Sequence, residues 1–145
     1  MEAYTRLIKG GLAVDDRGSV KFVNDFDFTN INRFYQVENH RRGYIRAWHG
    51  HEREGKYIWV CAGSALVGAT PIKSKPGDLA SVTKVTLSAQ TPSVYWIPAG
   101  YYNGFMNLVE NTILIFFSTS KLEDSEGDDI RQPYDMWNIW QDDYR

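Results

Sequence analysis

The sequence predicts an all-β fold, a barrel or a jelly roll, and three observations support this class. Short apolar or alternating runs recur along the chain, and turn signals rich in Gly, Asp and Asn separate them. Aromatic residues make up 14% of the chain, which is typical of pleated, half-buried surfaces. The helical signal is weak throughout. Because the 145 residues contain no internal repeat and no low-complexity linker, we expect a single domain over residues 1–145.

The predicted strands follow one another closely, with the turn signals DDRGS, HRRG, SKPGD and VEN between them. The clearest alternation lies in residues 80–88, where the phase slips by one residue between Val82 and Val85. A β-bulge or a two-faced strand would explain this slip. In chain order, the predicted strands are SVKFV (19–23), YIRAW (44–48), KYIWVCAG (56–63), ALVGATPI (65–72), ASVTKVTLS (80–88), SVYWIP (93–98) and TILIFFSTS (112–120).

The composition changes at residue 121, where the chain becomes acidic and then rich in Trp and Tyr. We expect a loop followed by a short helical or irregular C-terminal tail over the barrel, with Pro133 near a boundary. The acidic residues lack the regular spacing of a calcium-binding loop, so we interpret them as a solvated loop. They are Glu123, Asp124, Glu126, Asp128 and Asp129.

Charge and hydropathy exclude several classes of function. A formal net charge of −2 provides no basic field for a nucleic-acid backbone, although a few local cations can still bind a small anion. The apolar runs, such as residues 113–117, are too short to span a bilayer, and residues 1–11 lack a signal-peptide core. We therefore expect a soluble, cytoplasmic protein that binds neither nucleic acid nor membrane. The single cysteine, Cys61, precludes an internal disulfide.

Two histidines one residue apart, His49 and His51, lie just before a hydrophobic run. Alternate residues of a strand point to the same face, so the two imidazoles can converge on one ligand. Their spacing from Gly43 and Gly63 matches the first motif of the cupins, and PAGYYNGFMN at 98–107 supplies a counterpart of the second. The chain thus resembles the cupin superfamily across both halves, which implies a cupin-type jelly-roll barrel.

The resemblance to metal-binding cupins fails at two ligand positions. Such cupins use three histidines and one glutamate, but here the glutamate position is Lys56 and the third histidine position is Asn103. A charged lysine has no free lone pair, and an amide oxygen is a poor ligand for first-row metals. Glu54 lies in the turn EREG, where we expect it to face solvent. We therefore expect no metal and no other cofactor, and a metal-dependent cupin is the weakest alternative.

Several short segments occur in an order typical of one enzyme family: DDRG (15–18), FYQVEN (34–39), GYIRAWH (43–49), KYIWVCAG (56–63), IPAGYYNGF (97–105) and the acidic GDDIR (127–131). These segments resemble the dTDP-4-dehydrorhamnose 3,5-epimerase family of metal-free cupins and cover most of the chain. The resemblance implies an isomerase that epimerises a dTDP- or GDP-linked 4-keto-6-deoxy sugar. Its pathway would be the synthesis of a surface polysaccharide such as O-antigen.

The resemblance implies a role for each matching residue. The 4-keto group acidifies the hydrogens at C3 and C5, so epimerisation needs a base on one face, a donor on the other and a cation near the enolate oxygen. By resemblance, His49 is the base, Lys56 stabilises the enolate, and Arg46 binds the substrate, with Arg17 and Gln36 as further substrate-binding candidates. A regular strand would place Arg46 on the face opposite His49, so a bulge or a second subunit's pocket is needed.

The proton donor departs from the family pattern. The family has a tyrosine acid three residues before the threonine of its late strand, and this position is Phe116, which cannot donate a proton. The family's GFAHGF has become GYYNGF, so Asn103 replaces a histidine and two tyrosine hydroxyls are added. We therefore consider His51, Tyr101 and Tyr102 as candidate proton donors. Of the two tyrosines, we predict that Tyr102 is catalytic and that Tyr101 binds substrate, together with Asn103.

Two other functions remain open. The segments RAWHGH and CAGS resemble the sugar 3,4-ketoisomerases, in which His49 and His51 would move protons on one face without the missing tyrosine. The loss of that tyrosine at Phe116 also allows a non-catalytic cupin that binds a sugar nucleotide.

Related cupins commonly form dimers in which one barrel lends a strand to the other, so we expect a homodimer. The exposed early strand SVKFV and the aromatic tail with Trp137 and Trp140 are the candidate interfaces. The same tryptophans would instead cap the barrel if the tail packed on its own chain.

Overall fold

The computed structural model describes residues 3–141, which are built almost wholly from antiparallel strands. In chain order the strands are β1 (Arg6–Lys9), β2 (Gly11–Asp15), β3 (Gly18–Phe22), β4 (Arg33–Glu38), β5 (Ile45–His51), β6 (Lys56–Ala62), β7 (Ser64–Pro71), β8 (Thr83–Ser88), β9 (Ser93–Ile97), β10 (Tyr101–Asn107), β11 (Ile113–Ser118) and β12 (Ile130–Arg131).

Two five-stranded sheets carry the fold, with strand orders β1-β9-β6-β11-β4 and β12-β5-β10-β7-β8. We call them the first and the second sheet. A separate two-stranded hairpin pairs β2 with β3. Non-consecutive strands are neighbours in both sheets and every pairing is antiparallel, as in a jelly roll. The predicted all-β jelly roll is therefore confirmed.

The helical elements are short. Within residues 3–141 they are a 3-10 turn at Leu79–Ser81 and the helix α1 at Leu122–Ser125, and neither is long and apolar enough to span a membrane. Asp78 begins the 3-10 turn, because its side chain accepts a hydrogen bond from the Ala80 N–H. Strand β8 begins only after this turn, at Thr83, so Val82 lies outside it. The phase slip in residues 80–88, for which a bulge or a two-faced strand was considered, arises because a turn precedes the strand.

The main core lies between the inner faces of the two sheets. Alternate residues of each strand point inward, so apolar side chains from both sheets interlock in one cluster. Among the most buried are Ile58, Val67, Leu87 and Leu114, each at most 1% exposed. This core holds the two sheets at a fixed separation, and the cavity described below opens beside it.

The C-terminal tail covers the outer face of the second sheet. Trp137 and Trp140, which are 2% and 5% exposed, pack against Trp48 and Tyr102 of that sheet. The indole N–H groups of Trp48 and Trp140 both donate to the Tyr134 carbonyl, at 3.1 and 2.9 Å. The tail was expected over the barrel, and its tryptophans cap their own chain there. Because both side chains are buried within one chain, they are not available for the dimer interface that was the alternative expectation.

The β2–β3 hairpin pairs with no strand of the two five-stranded sheets. Apolar side chains on it are exposed to solvent, among them Val14 at 71% and Val20 at 65%. A lone two-stranded hairpin is at best marginally stable in water. The exposed early strand predicted at residues 19–23 is thus found as β3 (Gly18–Phe22).

Candidate active site

A cavity of about 370 Å³ opens between the two sheets. The second sheet forms one wall, with Arg46, His49 and His51 of β5 and Asn103 and Phe105 of β10. The first sheet forms the facing wall, with Arg33, Tyr35 and Val37 of β4, Lys56 of β6 and Phe116 of β11. The segment around α1 and β12 covers the opening with Leu122, Ser125, Glu126, Asp129 and Arg131. We name these parts the histidine wall, the tyrosine wall and the cover segment (residues 122–131).

Arg46 and His49 line the same wall because β5 carries an extra residue between them. Asn103 of β10 is opposite His49, and Phe105 is opposite Arg46, so three steps along β5 match two along β10. This bulge is one of the two arrangements that Arg46 required. Its Nε donates to the Asn39 side-chain oxygen at 2.7 Å, which fixes the guanidinium at the cavity.

His49 is a neutral imidazole at the pH of the cell. Burial, followed by the positive charges of Arg131 and Lys56, lowers its pKa to about 4. A neutral imidazole has a free lone pair and can accept a proton from a carbon acid. Asn103 supports the strand here, because its Nδ2 donates to the His49 carbonyl at 3.1 Å. The Asn103 side chain therefore contacts the backbone of His49.

His51 lies deeper in the same wall and is 8% exposed. Its Nδ1 forms a hydrogen bond with the Asp128 carbonyl, so Nδ1 carries the proton and Nε2 is left as an acceptor. Burial and the charge of Lys56 lower its pKa, which favours this neutral form. Among the described residues, no hydrogen-bond partner is found for Nε2.

Asp128 joins the cover segment to the turn between β5 and β6. Its carboxylate accepts three backbone N–H bonds, from Glu52 at 2.7 Å and from Arg53 and Glu54 at 3.0 Å each. Together with the bond from His51 to its carbonyl, these contacts tie the acidic segment to the histidine wall. Asp128 is 3% exposed, so it is not part of the solvated loop expected there.

Glu54 is buried in the cavity wall, at 2% exposure, and the expectation that it faces solvent is wrong. The Asp128 carboxylate holds its backbone and turns the residue inward. Its Oε2 accepts a hydrogen bond from Ser118 Oγ at 2.9 Å and lies 3.5 Å from an Arg33 nitrogen and 4.0 Å from Lys56 Nζ. The turn thus delivers a charged carboxylate to the site.

Lys56 begins β6 and points into the cavity, where it is 7% exposed. Its ammonium lies 5.7 Å from the ring centroids of both Tyr35 and Phe116, a cation–π geometry. The predicted lysine is therefore held beside the ligand space by two rings and by Glu54.

Phe116, at the position of the expected tyrosine acid, stacks on Tyr35 of the neighbouring strand. The two rings are nearly parallel, with an interplanar angle of 3° and centroids 5.1 Å apart. Tyr35 was not predicted as a site residue. The sequence shows that Arg33, Tyr35 and Val37 alternate along β4, but only the structure shows that their shared face lines the cavity. A tyrosine hydroxyl is thus available on the wall that faces the histidines.

Four predicted site residues do not line this cavity. Tyr102 points to the outer face of the second sheet, where Gln132 donates to its hydroxyl, and Tyr101 packs against the main core. Gln36 is exposed on the opposite face of β4 from Tyr35. Arg17 lies in the hairpin turn with its side chain 86% exposed and paired with Asp15.

The charges that line the cavity suit an anionic ligand. Arg131 pairs with Asp129 at 3.0 Å, and Glu54 lies close to Arg33 and Lys56, so these cations have acidic neighbours. Arg46 instead bonds the neutral amide of Asn39. Its fork of N–H donors remains free to bind a phosphate. Residues 3–141 contain no group of three or more His, Cys, Asp or Glu side chains placed to hold a metal ion.

Comparison with known proteins gives one family and a set of similar structures. A family model described as dTDP-4-dehydrorhamnose 3,5-epimerase matches residues 7–139. Comparison with curated protein sequences gives no significant match.

Among solved structures, the Sulfolobus tokodaii dTDP-4-dehydrorhamnose 3,5-epimerase is 28% identical, with a TM-score of 0.74 over 93% of this chain and 81% of that one. Two others share the fold. ChmJ, a 3'-monoepimerase from Streptomyces bikiniensis, is 18% identical, with a TM-score of 0.78 over 97% of this chain and 77% of its own. The 3,4-ketoisomerase QdtA from Thermoanaerobacterium thermosaccharolyticum is 18% identical, with a TM-score of 0.68 over 93% and 91%. Because the family model spans nearly the whole chain, the protein belongs to the dTDP-4-dehydrorhamnose 3,5-epimerase family and is an isomerase that acts on nucleotide sugars.

Proposed function

We propose that this protein epimerises a nucleotide-linked 4-keto-6-deoxy sugar through an enolate. The observation that carries the proposal is the placement of His49 and Tyr35 on facing walls of one cavity. A sugar ring between these walls would meet a proton acceptor on one face and a donor on the other, as inversion of a carbon centre requires. Phe116 lies at the family's donor position and cannot donate a proton. Its stacking partner, Tyr35, takes the role of donor.

The remaining site residues have complementary roles. Lys56 places a positive charge where the keto oxygen becomes an enolate oxygen, which stabilises the transition state more than the ground state. Arg46 binds the diphosphate, because its guanidinium fork matches phosphate oxygens. His51 lies on the same wall as His49, and its Nε2 is a second proton acceptor.

Replacing Tyr35 with phenylalanine is expected to lower the rate of epimerisation by roughly 10²-fold. The fold should be unchanged, since only a hydroxyl is removed from a stacked ring. Deuterium from solvent should still enter the sugar, because His49 continues to remove the proton and can return a deuteron to the same face. Measurement of both product and deuterium content by NMR separates the two steps.

The matched control for this variant is Tyr44→Phe, which removes a hydroxyl from an exposed tyrosine outside the cavity lining. It should epimerise at the wild-type rate. A wild-type rate for Tyr35→Phe would show that another group donates the proton.

The experiment that tests the function is proton NMR in heavy water, with dTDP- and GDP-4-keto-6-deoxy sugars and the purified protein. Loss of the C3 or C5 signal, followed by signals of the epimer, would support the proposal and name the carbon. Tight binding of the nucleotide without exchange from any of these sugars would overturn it in favour of a non-catalytic binding protein.

Ketoisomerisation is the second candidate, favoured by one specific arrangement. His49 and His51 lie on the same wall, and the family's donor position holds Phe116. Two imidazoles on one face can move protons between neighbouring carbon and oxygen atoms without a donor on the other face. The same NMR experiment would show this reaction as migration of the keto group from C4 to C3.

We also propose a homodimer, in which a second copy covers the β2–β3 hairpin and its exposed apolar side chains. Replacing Val14 with aspartate should leave the barrel folded and shift the protein to monomer, since this side chain is 71% exposed in the single chain. Sedimentation equilibrium would measure the change, with Thr83→Asp on the edge strand β8 as control. A wild-type monomer at all concentrations would contradict the proposal. In a dimer, Arg17 at the hairpin turn could approach a partner's cavity and bind substrate there.

Family membership supports the rest of the biological setting that we propose. The reaction would take place in the cytoplasm and supply a 6-deoxy sugar for a surface polysaccharide such as O-antigen.

A further inference from the structure

Glu54 is a buried carboxylate that the proposed mechanism has not used. Its side chain is 1% exposed, and its Oε2 contacts Ser118 Oγ and lies near the nitrogens of Arg33 and Lys56. Its Oε1 lies 4.0 Å from His51 Nδ1 and has no hydrogen-bond partner among the described residues. One carboxylate therefore stands between the lysine and the inner histidine.

Burying a carboxylate is unfavourable unless charges and hydrogen bonds compensate it. Here two cations and a hydroxyl supply that compensation, and Asp128 fixes the backbone that carries the residue. An apolar side chain would fill this position without any such requirement. The chain instead builds a charged pair, Glu54 and Lys56, inside the ligand cavity.

We propose that Glu54 is a positioning residue that holds the Lys56 ammonium at the sugar end of the cavity and away from the diphosphate. This inference rests on the proposed function, in which Lys56 stabilises the enolate. A lysine side chain is long and flexible, and a diphosphate attracts its charge strongly. Glu54 competes for the ammonium and, with the rings of Tyr35 and Phe116, keeps it in one place. Such preorganisation is what makes a charge effective in a transition state.

The proposal predicts opposite effects on catalysis and on binding when Glu54 becomes glutamine. The released Lys56 should move toward the phosphates, so kcat should fall by roughly 10-fold to 100-fold while KM stays equal or decreases. The Kd for dTDP, measured by calorimetry with GDP alongside, should decrease by about 3-fold to 10-fold. A purely structural role would instead raise KM and weaken dTDP binding.

A double-variant cycle shows whether the effect passes through the lysine. In the Lys56→Ala background, Glu54→Gln should leave the Kd for dTDP nearly unchanged, because there is no ammonium to release. If the gain in dTDP affinity is as large without Lys56, the effect is general electrostatics and the positioning role is overturned. Glu110→Gln, an exposed side chain in the turn between β10 and β11, is the matched control and should leave both kcat and Kd at wild-type values.

The two proposals fail in different ways. Turnover by the wild type together with wild-type kcat in Glu54→Gln would overturn the positioning role and leave the function intact. Tighter dTDP binding that depends on Lys56, in a wild type without turnover, would overturn the function and retain the positioning role. If Glu54→Gln does not fold, Ser118→Ala removes one hydrogen bond from the same carboxylate and should lower kcat by about 2-fold to 5-fold. Unchanged kcat in that folded variant would count against the proposal.

Discussion

Replacement of His49 with alanine is expected to lower kcat by roughly 10²-fold to 10⁴-fold, with KM for the sugar nucleotide changed by less than about 3-fold. In the proposed mechanism this imidazole removes the proton next to the keto group, and His51, the other imidazole of the histidine wall, is more deeply buried. The variant leaves Arg46, the proposed diphosphate contact, unchanged, so binding should persist. Steady-state kinetics and solvent deuterium exchange would measure the loss.

The pH dependence of the wild type should identify the same residue. Burial and neighbouring cations lower the pKa of His49 to about 4, so the base is neutral and competent from neutral pH down to that value. As the pH falls through about 4, the imidazole becomes protonated and kcat/KM should fall. His49→Gln should retain the packing of the histidine wall, and its residual kcat/KM should no longer fall as the pH passes through about 4. If this variant still showed the fall in kcat/KM at low pH, or still exchanged substantial deuterium from solvent into the sugar, the base would be another group.

Replacement of Asp128 with asparagine is expected to lower the free energy of unfolding by roughly 2–4 kcal/mol. The carboxylate accepts three backbone N–H bonds from residues 52–54, and an amide can accept at only one of its two ends. Its NH₂ group would face donors, so at least one buried N–H loses its partner. Urea unfolding would measure the change, with Asp135→Asn, an exposed side chain, as control.

The pH dependence of this stabilisation follows from the sign of the shift. Burial raises the pKa of Asp128, but the N–H bonds from Glu52, Arg53 and Glu54 lower it further, so the folded-state value lies below the ordinary 3.8. The stabilisation is therefore complete above about 3.8 and is lost as the pH falls through the lower folded value. The stability difference between wild type and Asp128→Asn should shrink in that range. A constant difference would mean that the carboxylate charge is not its source.

The strands and the histidine pair could be predicted from sequence because period-two patterns report burial directly. The seven predicted runs each correspond to a strand, with boundaries shifted by up to three residues. Arg46 shows the limit of this reasoning. Strict alternation along β5 would place Arg46 on the face opposite His49. Only the pairing with β10 reveals the bulge that brings both side chains to the same face.

Tyr35 and Glu54 could not be assigned with the same rules. Tyr35 belongs to a strand with alternating pattern, but the sequence does not state that β4 lies next to β11 and so brings its ring against Phe116. Glu54 looks like a turn residue, and turns are ordinarily solvated. Its burial depends on Asp128, which is 74 residues away in the chain. Contacts of this range follow from tertiary structure and have no local signal.

In the proposed mechanism the proton acceptor and the proton donor lie on separate sheets, which makes the main core part of the catalytic apparatus. His49 belongs to the second sheet and Tyr35 to the first, and the side chains packed between the sheets determine how far apart they are. The core sets the distance between the two sheets. A substitution such as Val67→Ile or Leu114→Val would therefore change the gap across the sugar ring without replacing any residue that lines the cavity. Enzyme rate in this fold is thus sensitive to packing volume, and relatives with identical site residues can differ in speed through their cores alone.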